Sequence, residues 1–259
     1  MVDNDSDVRL AHRLTEIADA LALEFFGRAP AVRYKSDGSP VSEADLAVEE
    51  ALLAVVAAER PGDAVLTEES GALGTVSRRR WILDPIDGTI PFLAGERGWG
   101  THVALEVEGE LRTAVLSRPT ERTTWWAVRG QGAFTSVRGE PLSAARPLRV
   151  PAAASLPLEA ARVGGFLMPD SPVEPVRGRM RWVESSVCLV GDLLEGRVEA
   201  VIDEGGHVWD RAPAALLVRE AGGRVDDLRG GSGLDERWLV YAADGVADEL
   251  TGLLHDVGA

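Results

Sequence analysis

The chain has 259 residues, 45% hydrophobic and 27% charged, an ordinary globular balance with ample length for a large core. Acidic residues outnumber basic ones 42 to 27, a net charge of −15 that disfavours nucleic acid and anionic membrane surfaces as partners. The single cysteine, Cys188, excludes an intrachain disulfide and a multi-cysteine zinc site, and with no leader-like segment or membrane-length apolar run the expected location is cytoplasmic.

Leu10, Leu14, Ile17, Leu21 and Phe25 recur at helical spacing and predict a helix from about Asp7 to Phe26, stopped by Gly27 and Pro30. Residues 34–41 carry Lys35 and are polar and turn-rich, which predicts a mobile loop or short hairpin. Ser42 then opens a second helix, ended near Pro61-Gly62, with Asp45 as the partner in a capping-box variant. Capping alone is a full explanation of Asp45. Ala64-Val65-Leu66 predicts a strand that delivers Glu68 and Glu69, adjacent carboxylates whose usual fate is a solvated turn.

Trp81-Ile82-Leu83 predicts a buried strand that stops at Pro85, because proline has no ladder N–H. Gly88 permits an unusual backbone, and Thr89 is expected to cap a helix with Pro91 in its first turn. Asp84, Asp87, Thr89 and free N–H groups thus meet at one strand end, the composition of a hard-metal and phosphate site. The same string is also a good turn.

Residues 99–108 and 111–118 predict two strands about a Gly109 turn, and residues 124–128 a third. Pro141, Pro147, Pro151 and Pro157 mark a seam. It suggests two halves of one compact unit, residues 1–145 with most of the acids and residues 146–259 completing the site. The second half predicts strands at 162–167, 181–183 and 198–202 and a helix over 185–194. Asp210 is expected as the N-cap of a further helix, with Pro213 in its first turn and Gly222-Gly223 at its end. A last strand at 238–242 leads to a helix ending near His255, and the alternation as a whole predicts a layered α/β fold.

Each acid has a structural explanation on its own, but the ordered set is specific. Lys35 and Asp45, then Glu68-Glu69, then Asp84-Pro85-Ile86-Asp87-Gly88-Thr89, then Trp209-Asp210 resembles the inositol monophosphatase family of Mg2+-dependent, lithium-sensitive phosphatases over nearly the whole chain. The resemblance implies the α-β-α-β-α sandwich shared with fructose-1,6-bisphosphatase, and usually a homodimer. It implies an enzyme that hydrolyses a small polar phosphate ester with a water activated at the metal, two to three Mg2+ per site, and inhibition by Li+. Histidinol phosphate, an inositol or other cyclitol phosphate and a sugar phosphate are the substrates it suggests.

Residue roles follow from the same resemblance. Glu68, Asp84 and the Ile86 carbonyl hold one Mg2+; Asp84, Asp87 and Asp210 hold a second, supported by Glu69. A third, weaker ion sits near Glu68 through water. Asp45 and Thr89 orient and deprotonate the water, Lys35 and Glu68 join the catalytic group, and the N–H groups of Gly88 and Thr89 hold phosphate. The physics agrees: Mg2+ takes oxygen ligands, and clustered carboxylates repel one another without a cation. Asp84 and Asp87 are one residue further apart than the acids of Asp-x-Asp phosphatases, so water attack is expected in place of a phosphoaspartate.

The resemblance thins where substrate is chosen. Ile90-Pro91 replaces a polar pair, and Arg181 to Ser186 departs from the family's Arg-x-x-Gly stretch, with Glu184 in the place of glycine. Arg181, Glu184, Ser185 and Asp203 are the candidate substrate contacts, though Asp203 reads equally well as a strand-end turn residue. Gly98 to Leu105 is closer to the histidinol-phosphate phosphatase branch than to the inositol branch. The alternatives are a nucleotide phosphatase of the same family, acting on 3′-phosphoadenosine 5′-phosphate or a nucleoside monophosphate, and a non-catalytic metal- or metabolite-binding regulator.

Overall fold

A computed structural model of the protein describes residues 4–258, apart from residues 37, 75, 154, 155, 184–188, 230 and 232. Helices α1 (Asn4–Phe25) and α2 (Glu43–Glu59) flank a hairpin of β1 (Val32–Tyr34) and β2 (Pro40–Ser42). The first sheet then takes β3 (Ala64–Thr67), β4 (Gly71–Leu73), β5 (Arg79–Asp87), β6 (Gly100–Val107), β7 (Glu110–Arg118), β8 (Thr123–Val128), β9 (Gly132–Val137) and β10 (Arg146–Leu148). Its order is β10-β9-β8-β7-β6-β5-β3-β4, antiparallel throughout except where β3 runs parallel to β5. Between β5 and β6 lies the short helix α3 (Thr89–Ala94).

The second sheet is built from β11 (Arg162–Phe166), β12 (Arg181–Val183), β13 (Ala200–Glu204), β14 (Arg224–Asp226) and β15 (Trp238–Ala242), ordered β12-β11-β13-β15-β14. Helices α4 (Leu189–Leu194), α5 (Val208–Glu220) and α6 (Ala247–Asp256) complete the chain. Three apolar layers explain the stacking. Leu14, Ala18 and Leu52 of α1 and α2 meet Leu83, Val103 and Val115 on one face of the large sheet. Ile82, Ala104 and Leu116 on its other face meet Leu216 and Leu217 of α5, which also packs against Val201 and Tyr241 of the small sheet. Val163, Ile202 and Val240 on the far face of the small sheet are covered by Leu250 and Leu254 of α6. The result is the five-layer α-β-α-β-α sandwich. No helix among the described residues is long and apolar enough to cross a membrane.

Three local expectations are corrected. The β5 strand does not stop at Pro85 but runs on to Asp87, with its register to β6 broken between the Asp84–His102 and Asp87–Gly100 pairs. A bulge tolerates a residue without an N–H, and the Pro85 carbonyl instead accepts from the Thr101 hydroxyl at 3.1 Å. The N-cap of α5 is His207, not Asp210, and Pro213 lies in the second turn of the helix rather than the first. Gly88, with φ of 89°, is the N-cap of α3, so the Thr89 hydroxyl is left for another partner.

Candidate active site

Two helix starts, one bulge and one strand end bring the acids together. On α2, Ser42 is a true N-cap, and its N–H and hydroxyl donate to Asp45 Oδ2 at 2.7 and 2.6 Å. The other oxygen, Asp45 Oδ1, is 3.3 Å from the Thr89 hydroxyl. Asp45 therefore caps its helix and faces Thr89 with one carboxylate; the bland role and the functional one coexist. Burial raises the Asp45 pKa, the Ser42 hydrogen bonds oppose that rise, and the charge of Glu68 adds to it.

Asp84 lies on the face of the large sheet that α5 covers, two residues along β5 from Ile82 of that apolar layer. It is buried, and its Oδ1 accepts the Ile86 N–H at 3.1 Å. Asp210 arrives from α5 as the third residue of the helix, its Oδ2 accepting the His207 N–H at 2.6 Å. Burial pushes the Asp84 pKa well up, and Glu68, Asp87 and Asp210 push it in the same direction. Burial and the charge of Asp87 likewise raise Asp210 to about 7. Four carboxylates from β3–β4, β5 and α5 thus feel one another in a desolvated pocket. Such a set is stable only with protons or with cations.

Glu68 and Glu69 do not form a solvated turn. Lys35 Nζ stands 2.8 Å from Glu68 Oε1 and 2.9 Å from Glu69 Oε1, and it is held charged because these bonds outweigh its partial burial. Burial raises Glu69 to about 7, against the pull of Lys35. The turn is fixed by a residue that sequence reasoning passed over. Glu49, buried on α2, accepts the Thr67 hydroxyl at 2.6 Å, the Glu69 N–H at 3.1 Å and the Ser70 hydroxyl. Its signal was available: Glu49 follows Asp45 by four residues and shares a helix face with it, amid buried Val48 and Leu52. Glu49→Leu removes a buried acceptor from three donors at once. It is expected to weaken Mg2+ binding about tenfold or more by titration calorimetry, whereas Glu49→Gln keeps part of the affinity.

His102 was also missed as a site residue. It pairs with Asp84 across the β5–β6 ladder, and its Nε2 stands 3.3 Å from Asp87 Oδ2. Ligand atoms of Asp84, Asp87 and His102 all lie within 4.8 Å of one another. Burial lowers the His102 pKa to about 4 against the opposing charge of Asp210, so the imidazole is neutral at pH 7. From behind, the Thr101 hydroxyl holds the Pro85 carbonyl, the Thr101 N–H meets Ser117 Oγ at 3.3 Å, and Ser117 donates to buried Asp19 at 2.6 Å. The bulge is thereby braced on both faces of the sheet.

The expected substrate contacts fare differently. Glu184 and Ser185 lie outside the described residues. Arg181 is exposed at the first residue of β12, the end of the parallel strands away from the β13–α5 connection that leads to Asp210, so the structure does not bring it to the acids. Asp203 is engaged elsewhere: its two oxygens take Arg211 Nε at 2.8 Å and Nη2 at 2.9 Å, and Oδ1 also accepts the Gly206 N–H at 3.0 Å. Asp203 is a brace between β13 and α5, with buried Arg211 tied on to the Leu234, Glu236 and Arg237 carbonyls. That pairing is the turn-and-strut reading of Asp203.

The donor set fits divalent cations: hard oxygens predominate, and buried carboxylates that repel one another are the chemistry a divalent cation would neutralise. The fit has a stability consequence. A carboxyl whose folded pKa is raised stabilises the fold below its unfolded pKa, and that contribution is lost as pH rises through the folded value. For Glu69 and Asp210 this window runs from about 4 to about 7. Metal-free protein should therefore lose several degrees of Tm between pH 5 and pH 8, and saturating Mg2+ should restore them at pH 8 by binding the folded state alone. A flat metal-free profile by scanning calorimetry contradicts this.

Comparison with known proteins agrees with the geometry. The model of the inositol monophosphatase family matches residues 3–257. A Streptomyces griseus protein named glucose-1-phosphate thymidylyltransferase is 89% identical over 100% of both chains. A histidinol-phosphatase of Mycobacterium tuberculosis is 36% identical over 96% of this chain and 95% of its own, and an inositol-1-monophosphatase of Mesorhizobium japonicum is 33% identical over 83% and 82%. Among solved structures, the Thermotoga maritima IMPase TM1415 superposes with a TM-score of 0.84 at 26% identity, covering 99% of this chain and 98% of that one.

Proposed function

The chain belongs to the inositol monophosphatase family and is a Mg2+-dependent phosphomonoesterase for a small phosphorylated metabolite; on that premise we propose that its substrate is a polar monoester of the histidinol-phosphate, cyclitol-phosphate or sugar-phosphate kind. The observation that carries the reading is the meeting of Glu68, Asp84, Asp87 and Asp210 beside a Thr89–Asp45 pair.

In this reading Glu68, Asp84, the Ile86 carbonyl, Asp87 and Asp210 hold the ions, with Glu69 behind them. Bound Mg2+ supplies a Lewis acid for the phosphoryl oxygens and lowers the pKa of an attacking water. The first-turn N–H groups of α3, which no helical carbonyl reaches, receive phosphate oxygens next to Gly88 and Thr89. Thr89 Oγ1 accepts a proton from the water and passes its own to Asp45 Oδ1, which burial makes the more basic. Lys35 holds Glu68 and Glu69 in place and offsets part of their charge. A homodimer in the cytoplasm, inhibited by Li+ and carrying two to three ions per site, completes the proposal.

Histidinol phosphate heads the substrate panel, because histidinol-phosphatase relatives are somewhat more identical to this chain than inositol-1-monophosphatase ones. Inositol 1-phosphate, glucose 1-phosphate, fructose 1,6-bisphosphate and a nucleoside monophosphate complete it. Phosphate release with kcat/KM at least about tenfold higher on one monoester assigns the branch. Equal, feeble rates on all of them sink the substrate proposal. Glucose 1-phosphate supplied with dTTP tests the name borne by the Streptomyces griseus relative, since nucleotidyl transfer releases pyrophosphate instead of phosphate.

A further inference from the structure

The metal site has one donor that is not oxygen. Among the described residues, His102 brings a nitrogen donor into a cluster with Asp84 and Asp87, buried with ligand atoms all within 4.8 Å of one another. Its position is set by the sheet: β6 places His102 opposite Asp84, on the face that also carries Ile82 and Ala104 against α5. The separation of 3.3 Å between His102 Nε2 and Asp87 Oδ2 is close to the edge of a coordination octahedron, where ligands about 2.1–2.2 Å from an ion stand about 3 Å apart. The backbone of Trp209 and Asp210 lies beside the ring and favours its protonated form, against the effect of burial. A metal-bound histidine is usually fixed by a bond from its other ring nitrogen to a backbone carbonyl or carboxylate, and the helix start of α5 puts such carbonyls beside this ring. Pro213 contributes by lacking the N–H that would otherwise take the Trp209 carbonyl within the helix.

We propose that a ring nitrogen of His102 is a direct ligand of the ion held by Asp84 and Asp87, so that this position selects a first-row transition ion such as Mn2+ over Mg2+. The proposal rests on the metal-dependent reading of the same site. Imidazole is a poor ligand for Mg2+, which demands oxygen and keeps its waters. Replacing one oxygen by nitrogen shifts affinity along the first-row series while two carboxylates keep the site hard enough for Mn2+. Positions held by oxygen alone, such as that of Glu68 with Asp84, keep their fitness for Mg2+. The competing role for His102 is an N–H donor that orients Asp87 without touching the ion, and it makes different predictions.

Mn2+ is the probe, and the full-length protein stripped with EDTA is the sample. Electron spin-echo envelope modulation of the Mn2+-loaded protein should show a directly coordinated 14N, lost in His102→Gln. Glutamine retains an N–H for Asp87 but removes the imidazole. By titration calorimetry His102→Gln should bind Mn2+ at least about tenfold more weakly while Mg2+ affinity changes by less than about twofold. Bound Mn2+ without a nitrogen signal overturns the proposal and leaves the phosphatase reading standing. Equal losses for both ions in His102→Gln also overturn it, by assigning the histidine to Asp87 alone. Failure of the wild-type protein to bind either ion removes the metal-dependent reading itself, and with it this one.

Discussion

Asp84→Asn is expected to lower Mg2+-dependent kcat/KM by about 10³-fold or more and, in the same protein, to raise the Tm of the metal-free form by a few degrees. The two effects have one cause. Asp84 is the carboxylate on which three other acids of the site converge: burial raises its pKa, and Glu68, Asp87 and Asp210 raise it further. Without a cation, that charge is held in a desolvated pocket against three like charges. Asparagine has nearly the same shape and can still accept the Ile86 N–H that Asp84 Oδ1 accepts at 3.1 Å, so the bulge keeps its geometry. The substitution therefore removes repulsion when the site is empty and removes a shared metal ligand when it is full. Thermal melts with and without Mg2+ separate these terms: the wild-type protein should gain much more stability from Mg2+ than the variant. A variant that melts lower than wild type without metal, or that retains most of its activity, would falsify the assignment of Asp84 as the central ligand.

The layered fold and the acids that meet within it were legible because both are written in local pattern. Helical spacing in α1, apolar strand runs in β5 and β13, and acids placed just after strands or at helix starts carry the architecture with them. What the pattern could not give was the exact job of each turn residue. Cap signals identify a helix start but not which residue stands at the N-cap. Asp210 reaches back to His207 from the third position, and Thr89 turns from capping to face Asp45 because Gly88 supplies the cap backbone. Pro85 misled for a related reason, since a proline that ends a regular ladder is also at home in a bulge.

Two misses were non-local. Glu49 and His102 look like incidental polar residues flanking apolar positions, and only the fold shows that one faces the Thr67–Ser70 turn and the other faces Asp84 and Asp87. Asp203 carried two readings of equal weight, a strand-end turn residue and a substrate contact. Its spacing from Asp210 suggested a substrate contact, but Arg211, one residue beyond Asp210, captures both of its oxygens. No reading of either residue alone contains that pairing.

Thr89→Val is expected to reduce kcat about 10²- to 10⁴-fold with little change in KM or in Mg2+ affinity. Valine matches threonine in shape and removes only the hydroxyl, which stands 3.3 Å from Asp45 Oδ1 and 3.5 Å from the Ile86 carbonyl. No metal ligand is lost, and the backbone N–H groups of α3 remain for phosphate. Asp45→Asn should have a comparable effect on kcat, because an amide cannot receive the proton that Thr89 passes on. Its cost to stability should be modest, since the asparagine oxygen can still accept from the Ser42 N–H that Asp45 Oδ2 binds at 2.7 Å. If threonine and aspartate act as one proton-transfer unit, the double variant should be scarcely slower than either single one. Multiplicative losses in the double variant, or a Thr89→Val protein that keeps its kcat, would instead give each residue a separate role and leave the water to be activated by the ions alone.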